Sequence, residues 1–193
     1  MKNKPPKRQF FDSKYISNEK RQSTLLLCIL IWSIIVYLIC SQWVLGSISI
    51  DGNSMSPTLA HGDFYIFHRW VYKIKKPKRG DVVVIKDPND GIISIKRVIG
   101  LPDEIIQFKN SSVYINAHKL KEPHLGVGQV TSPGRLTSKQ YKIAPNAYFV
   151  LGDNRNESYD SRDIGAISQH YVLGKINHAT EEDWITNSLD AQK

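Results

Sequence analysis

The chain begins polar, passes through one long uncharged apolar run, and then breaks into short alternating runs punctuated by Gly, Pro and Asp. From Leu25 to Leu45 it reads LLLCILIWSIIVYLICSQWVL, close to the roughly 20 residues an α-helix needs to cross about 30 Å of hydrocarbon. The pattern predicts one membrane-spanning helix. A cleaved leader is a poorer fit, because the run is longer than the usual apolar segment of about 7–15 residues and no Ala-x-Ala site follows it.

Beyond residue 46 the period shortens to two. Ser47-Ile48-Ser49-Ile50 and Phe64-Tyr65-Ile66-Phe67 alternate or nearly so, and Asp81-Val82-Val83-Val84-Ile85 and Ile92 to Ile99 flank the turn residues Asp87-Pro88-Asn89-Asp90-Gly91. That arrangement predicts a β-hairpin. Ser112 to Ile115, Gln140 to Ile143 and Tyr148 to Leu151 predict further strands, and no window in the body carries a long helical period. A mainly β body over 46–180 is therefore expected, with an exposed loop from His124 to Ser138 and a frayed or short helical tail over 181–193.

Charge changes the picture at the amino terminus. Of the formal net charge of +8, five units lie in residues 1–24, where Lys2, Lys4, Lys7, Arg8, Lys14, Lys20 and Arg21 face only Asp12 and Glu19. A basic segment poor in apolar residues reads as a disordered tail rather than a nucleic-acid surface. No Lys or Arg follows the span until Arg69, so the positive-inside rule places residues 1–24 in the cytoplasm and the body outside. Phe64, Tyr65, Phe67, Trp70 and Tyr72, with the basic run from Lys73 to Arg79, fit either a membrane-contacting edge or ordinary strands followed by a solvated turn. Both cysteines, Cys28 and Cys40, fall inside the span, which leaves the body without a thiol for a disulfide, a metal or catalysis.

The candidate chemistry therefore rests on other residues. Ser54 sits between Gly52 and Pro57, in a turn that can present a hydroxyl, although most such serines only bond their own backbone. His61, His68, His118, His124, His170 and His178 show no triad context and no metal-ligand spacing, so neither a histidine base nor a metal is expected. A lysine can serve as the base if burial lowers its pKa from about 10.4 toward 7. Lys96, embedded in Ile92-Ile93-Ser94-Ile95-Lys96-Arg97-Val98-Ile99, meets that need, although an edge-strand lysine that keeps a sheet soluble would look the same. A third segment, Gly152 to Gly165, holds Asp153, Arg155, Asp160 and Arg162 at a density that predicts internal pairing.

Taken in order, Ser54-Met55-x-Pro57-Thr58-Leu59, then Lys96-Arg97-Val98-x-Gly100-x-Pro102, then Gly152-Asp153-Asn154-Arg155 through Asp160-Ser161-Arg162 resemble the serial boxes of type I signal peptidases, in their compact single-anchor form. The resemblance implies a signal-peptidase-like β-fold with one amino-terminal transmembrane helix, on which Ser54 is the nucleophile and Lys96 the base. It further implies that Ser158 orients the Lys96 amine, that Asp160 and Arg162 form a structural ion pair supported by Asp153, and that Gly52, Asn53 and Met55 line the substrate groove. Gly52 stands where some relatives carry a second hydroxyl for the oxyanion, leaving the Ser54 N–H as the surest donor. The implied partners are secretory preproteins with Ala-x-Ala sites and the lipid bilayer, with no cofactor, metal or nucleic acid. A peptidase dedicated to one substrate, such as a conjugative pilin, and a silent anchored binding module remain the alternatives.

Overall fold

The computed structural model describes residues 13–126, 128–135 and 140–177, with the side chains of 13–20 and 40–44 left undescribed. The acidic end at 181–193 and His178 lie outside the described residues. Helix α1 runs Ser13–Val44 and contains a stretch, Arg21–Ile39, with mean hydropathy 2.2 and no buried residue, long and apolar enough to cross a membrane. It starts earlier than expected, within the segment whose composition marks it as disordered. Glu19, Lys20, Arg21 and Gln22 are good helix formers, so a helix nucleated in the apolar run propagates back through them.

From Trp43 onward the chain forms its own compact unit. Its strands are β1 Leu45–Ser49, β2 Phe64–His68, β3 Val82–Lys86, β4 Ile93–Gly100, β5 Ile105–Lys109, β6 Ser112–Ile115, β7 His118–Lys119, β8 Gln140–Lys142, β9 Ala147–Leu151, β10 Ile167–Ser168 and β11 Val172–Ile176. The expected body is thus mainly β; among the described residues its α-helices are single turns, α2 Val71–Ile74 and α3 Ser161–Ile164. One antiparallel sheet has the order β1-β2-β11-β3-β4-β9-β10 and a smaller one β7-β6-β5-β8. The hairpin is formed, with Val82 opposite Arg97 and Lys86 opposite Ile93.

At β3 the large sheet is covered on both faces, which explains why that strand reads as an unbroken apolar run. Val82 and Val84 pack with Ile50, Met55, Leu59, Phe67 and Ile95, whereas Val83 and Ile85 pack with Tyr72, Val98, Tyr148 and Val150. In β9, Phe149 and Leu151 face a third cluster with Ile99, Ile106 and Val113. Of the aromatic segment, Phe67 and Tyr72 are buried, while Phe64 and Trp70 are exposed together with Ile66 and Ile74. The segment therefore serves both core and surface.

Two pairings position the site. Val83 faces Lys96 across the β3–β4 ladder, and Arg97 faces Leu151 across β4–β9. The loop that leaves β9 at Gly152 therefore starts beside Lys96.

Candidate active site

The Ser54 turn is a closed loop between β1 and β2. At its neck the Ile50 N–H donates to Asp63 O at 2.9 Å and the Gly62 N–H to Ile50 O at 2.9 Å. Within it, Ser56 N–H bonds Asn53 O and Leu59 N–H bonds Met55 O, each at 3.0 Å. Met55 and Leu59, each 1% exposed, sink into the core beneath. An apolar side chain between two polar neighbours thus anchors the turn from below, while Gly52 and Asn53, expected with Met55 to line the groove, stay exposed.

Lys96 arrives from the middle of β4 with 4% of its surface exposed, and its Nζ lies 3.2 Å from Ser54 Oγ. Burial lowers the Lys96 pKa; Asp160 and Asp153 oppose this and Arg162 reinforces it. A neutral amine can accept the Ser54 O–H proton, which an ammonium cannot. Ser54 itself is half-buried, open enough for an incoming carbonyl.

The third segment holds the pair in place. Asn154 N–H donates to Ser54 O at 3.0 Å. The Asp160 carboxylate takes both Arg162 Nε and Nη2 at 2.9 Å, caps α3 by accepting from the Arg162 N–H, and accepts from the Gly152 N–H at 2.9 Å. The expected Asp160–Arg162 ion pair is present. Gly152 is required by close approach, since a Cβ there would strike the Ser158 hydroxyl and come within 2.5 Å of Ser54 O. Ser158 is not brought into hydrogen bonding with Lys96; its buried Oγ has no hydrogen-bond partner.

Asp153 is placed differently from the expectation that it supports Asp160. Its fully buried carboxylate is gripped by Arg97, Nε to Oδ1 at 2.8 Å and Nη2 to Oδ2 at 2.6 Å, and accepts from the Thr58 hydroxyl. Arg155 likewise looks outward from its loop, bonding Gly152 O, Thr131 and Glu122. The stretch expected as an exposed loop thus contributes the buried His124 and Thr131. Local charge density therefore finds the Asp160–Arg162 pair but not the partners of Asp153 and Arg155, which come from β4 and from the 122–131 segment. Arg97, Thr58, Glu122 and His124 went unassigned as site supports; the usable signal was a second charge, Arg97, beside Lys96 in an apolar strand.

His124 is held neutral. Its pKa is lowered to about 3, chiefly by burial, with Arg97 and Arg155 adding to the fall and Asp153 opposing it. The unfolded chain takes up a proton near pH 6.5 that the folded chain refuses, so folded stability falls as pH drops from about 6.5 toward 3. Urea midpoints at pH 6.5 and pH 5 should show the wild type losing roughly 2 kcal/mol more than His124→Gln. Equal losses would show that His124 does not cause the acid sensitivity.

Residues 22–180 match the family model described as signal peptidase, peptidase S26. Signal peptidase I V of Bacillus subtilis (strain 168) is 34% identical over 139 residues, covering 67% of this chain and 82% of the relative. Signal peptidase IB of Staphylococcus aureus (strain N315) is 32% identical over 157 residues, covering 74% and 81%. A crystal structure of a signal peptidase I from Enterococcus faecalis V583 is 34% identical over 54% of this chain and 99% of that one, with a TM-score of 0.46.

Proposed function

Because the chain belongs to the signal peptidase, peptidase S26, family, we propose that Ser54 and Lys96 are the nucleophile and general base with which it removes signal peptides from secretory preproteins. It is a serine endopeptidase, and the observation that carries the residue assignment is the amine of a lysine that is 4% exposed, 3.2 Å from a serine hydroxyl.

The chemistry follows from that geometry. Ser54 Oγ attacks the scissile carbonyl carbon while Lys96 Nζ takes the hydroxyl proton. The negative charge that develops on the carbonyl oxygen is met by the Ser54 N–H, since Gly52 has no side chain to add a second donor. Lys96 then gives its proton to the leaving amine, the C–N bond breaks, and the signal peptide remains as an ester on Ser54. Water, deprotonated by Lys96, attacks that ester, and the proton returns to Ser54 Oγ as the peptide leaves with a free carboxylate. Ser158 keeps its assignment as the group that orients the Lys96 amine; the reading rests on an orphaned buried hydroxyl against Gly152, since buried polar groups take partners.

The finer specificity, small residues at −1 and −3 of an extended segment, and the orientation with residues 1–24 cytoplasmic and the body outside, belong to the same proposal. The detergent-solubilised chain should convert a preprotein with an Ala-x-Ala site to its mature mass, and should lose that activity when the −1 Ala is replaced by Phe. Protease added outside spheroplasts should digest the body. Unchanged cleavage of the Phe substrate rejects the specificity, and a protected body rejects the orientation.

A further inference from the structure

The Ser54 turn is entered through Gly52, whose φ of +115° is one that residues with a side chain rarely adopt and around which no atom lies within 4 Å of a Cβ position. Gly52 thus brings no side-chain packing of its own to this backbone, and its N–H donates to His61 Nδ1 at 3.0 Å. The two backbone bonds at the neck stop at Ile50, with Gly62 and Asp63 as partners, and the imidazole extends that ladder by one rung using a side chain. Ser54 lies two residues further on, and the direction of its N–H depends on how the peptides from Gly52 onward are set.

We infer that His61 is a positioning residue for the reaction, fixing the entry of the nucleophile turn and reporting pH to it; the inference rests on the assignment of Ser54 as nucleophile. Only an imidazole with a free Nδ1 lone pair can accept the Gly52 N–H, so a second proton on the ring converts the acceptor into a donor and breaks the rung. The imidazole is exposed, and the Asp51 carboxylate, itself on the surface, lies 3.8 Å from Nδ1. Lys96 acts on the hydroxyl itself, whereas His61 acts on the backbone that presents it, so the two are separable by substitution.

The test compares full-length wild type, His61→Ala, His61→Asn and Ser54→Ala in detergent, measuring kcat, KM and thermal unfolding from about pH 5 to 8, the range in which histidines titrate. His61→Ala should lower kcat by about three- to tenfold, the range expected for one lost hydrogen bond, with KM and Tm little changed. His61→Asn, whose amide oxygen can accept from the same N–H and does not titrate, should recover most of kcat and show a shallower fall in rate on acidification than the wild type. The inference is overturned if His61→Ala matches the wild type in kcat and pH profile, or if His61→Asn is as impaired as His61→Ala with the wild-type profile retained. Cleavage by Ser54→Ala would instead remove the nucleophile assignment.

Discussion

Lys96→Ala and Ser54→Ala are each expected to lower kcat for preprotein cleavage by a factor on the order of 10⁴–10⁶, because a nucleophile and its base act as a unit and either deletion removes both functions. Rates followed by product mass would establish this, and either variant retaining a tenth of wild-type activity would end the Ser-Lys assignment. The wild-type rate should rise with pH through the lowered Lys96 pKa, since only the neutral amine takes the Ser54 proton. Stability should move the opposite way on substitution. Below its ordinary pKa the unfolded lysine is protonated, while the buried one resists protonation; wild-type stability therefore increases with pH up to about 10.4 and is penalised at pH 7. Lys96→Met, apolar and of similar volume, should unfold at a Tm higher by a few degrees, about 2–8 °C per kcal/mol gained, while being inactive. A Tm equal to or below the wild type would show that the amine is not penalised in the folded state.

Asp153→Ala is expected to be the most destabilising single substitution near the site. It would leave the Arg97 guanidinium, 1% exposed, without its carboxylate and the Thr58 hydroxyl without its acceptor. Breaking a buried pair from one side costs about 3–5 kcal/mol, because the charge that remains has neither water nor a counterion. Urea unfolding at pH 7 measures the loss directly. Activity should fall as well, since Thr58 belongs to the turn that carries Ser54 and the neighbouring Asn154 N–H holds the Ser54 carbonyl. A loss below about 1 kcal/mol would mean that water reaches Arg97, and that the pair is a surface feature in energetic terms.

Much of the fold was legible because its signals are local. An uncharged run of spanning length, a period of two, and Asp-Pro-Asn-Asp-Gly between β-branched runs each report on neighbouring residues alone. The apolar helix accordingly covers the expected run and the β3–β4 hairpin lies at its expected position. The helix start was missed, since propagation from a neighbouring apolar segment outweighs a polar composition. The burial of Met55 beneath the turn was not legible, since sequence alone does not say whether an apolar residue beside a serine is exposed or sunk into the core.

The residue types available to the chemistry were also determined along the chain: a serine in a turn, a lysine in an apolar strand, and no thiol outside the α1 segment. What the order of residues left open is which groups meet. Ser54 and Lys96 are 3.2 Å apart because the loop after β1 folds over β4. Asp153 pairs with Arg97 rather than with its own loop because β9 runs beside β4 in the register Arg97 to Leu151. The pKa of Lys96 was set in the same way. Desolvation depends on how much matter surrounds the amine from every direction, a sum over β3, β4, β9 and the returning loop that no stretch of consecutive residues contains.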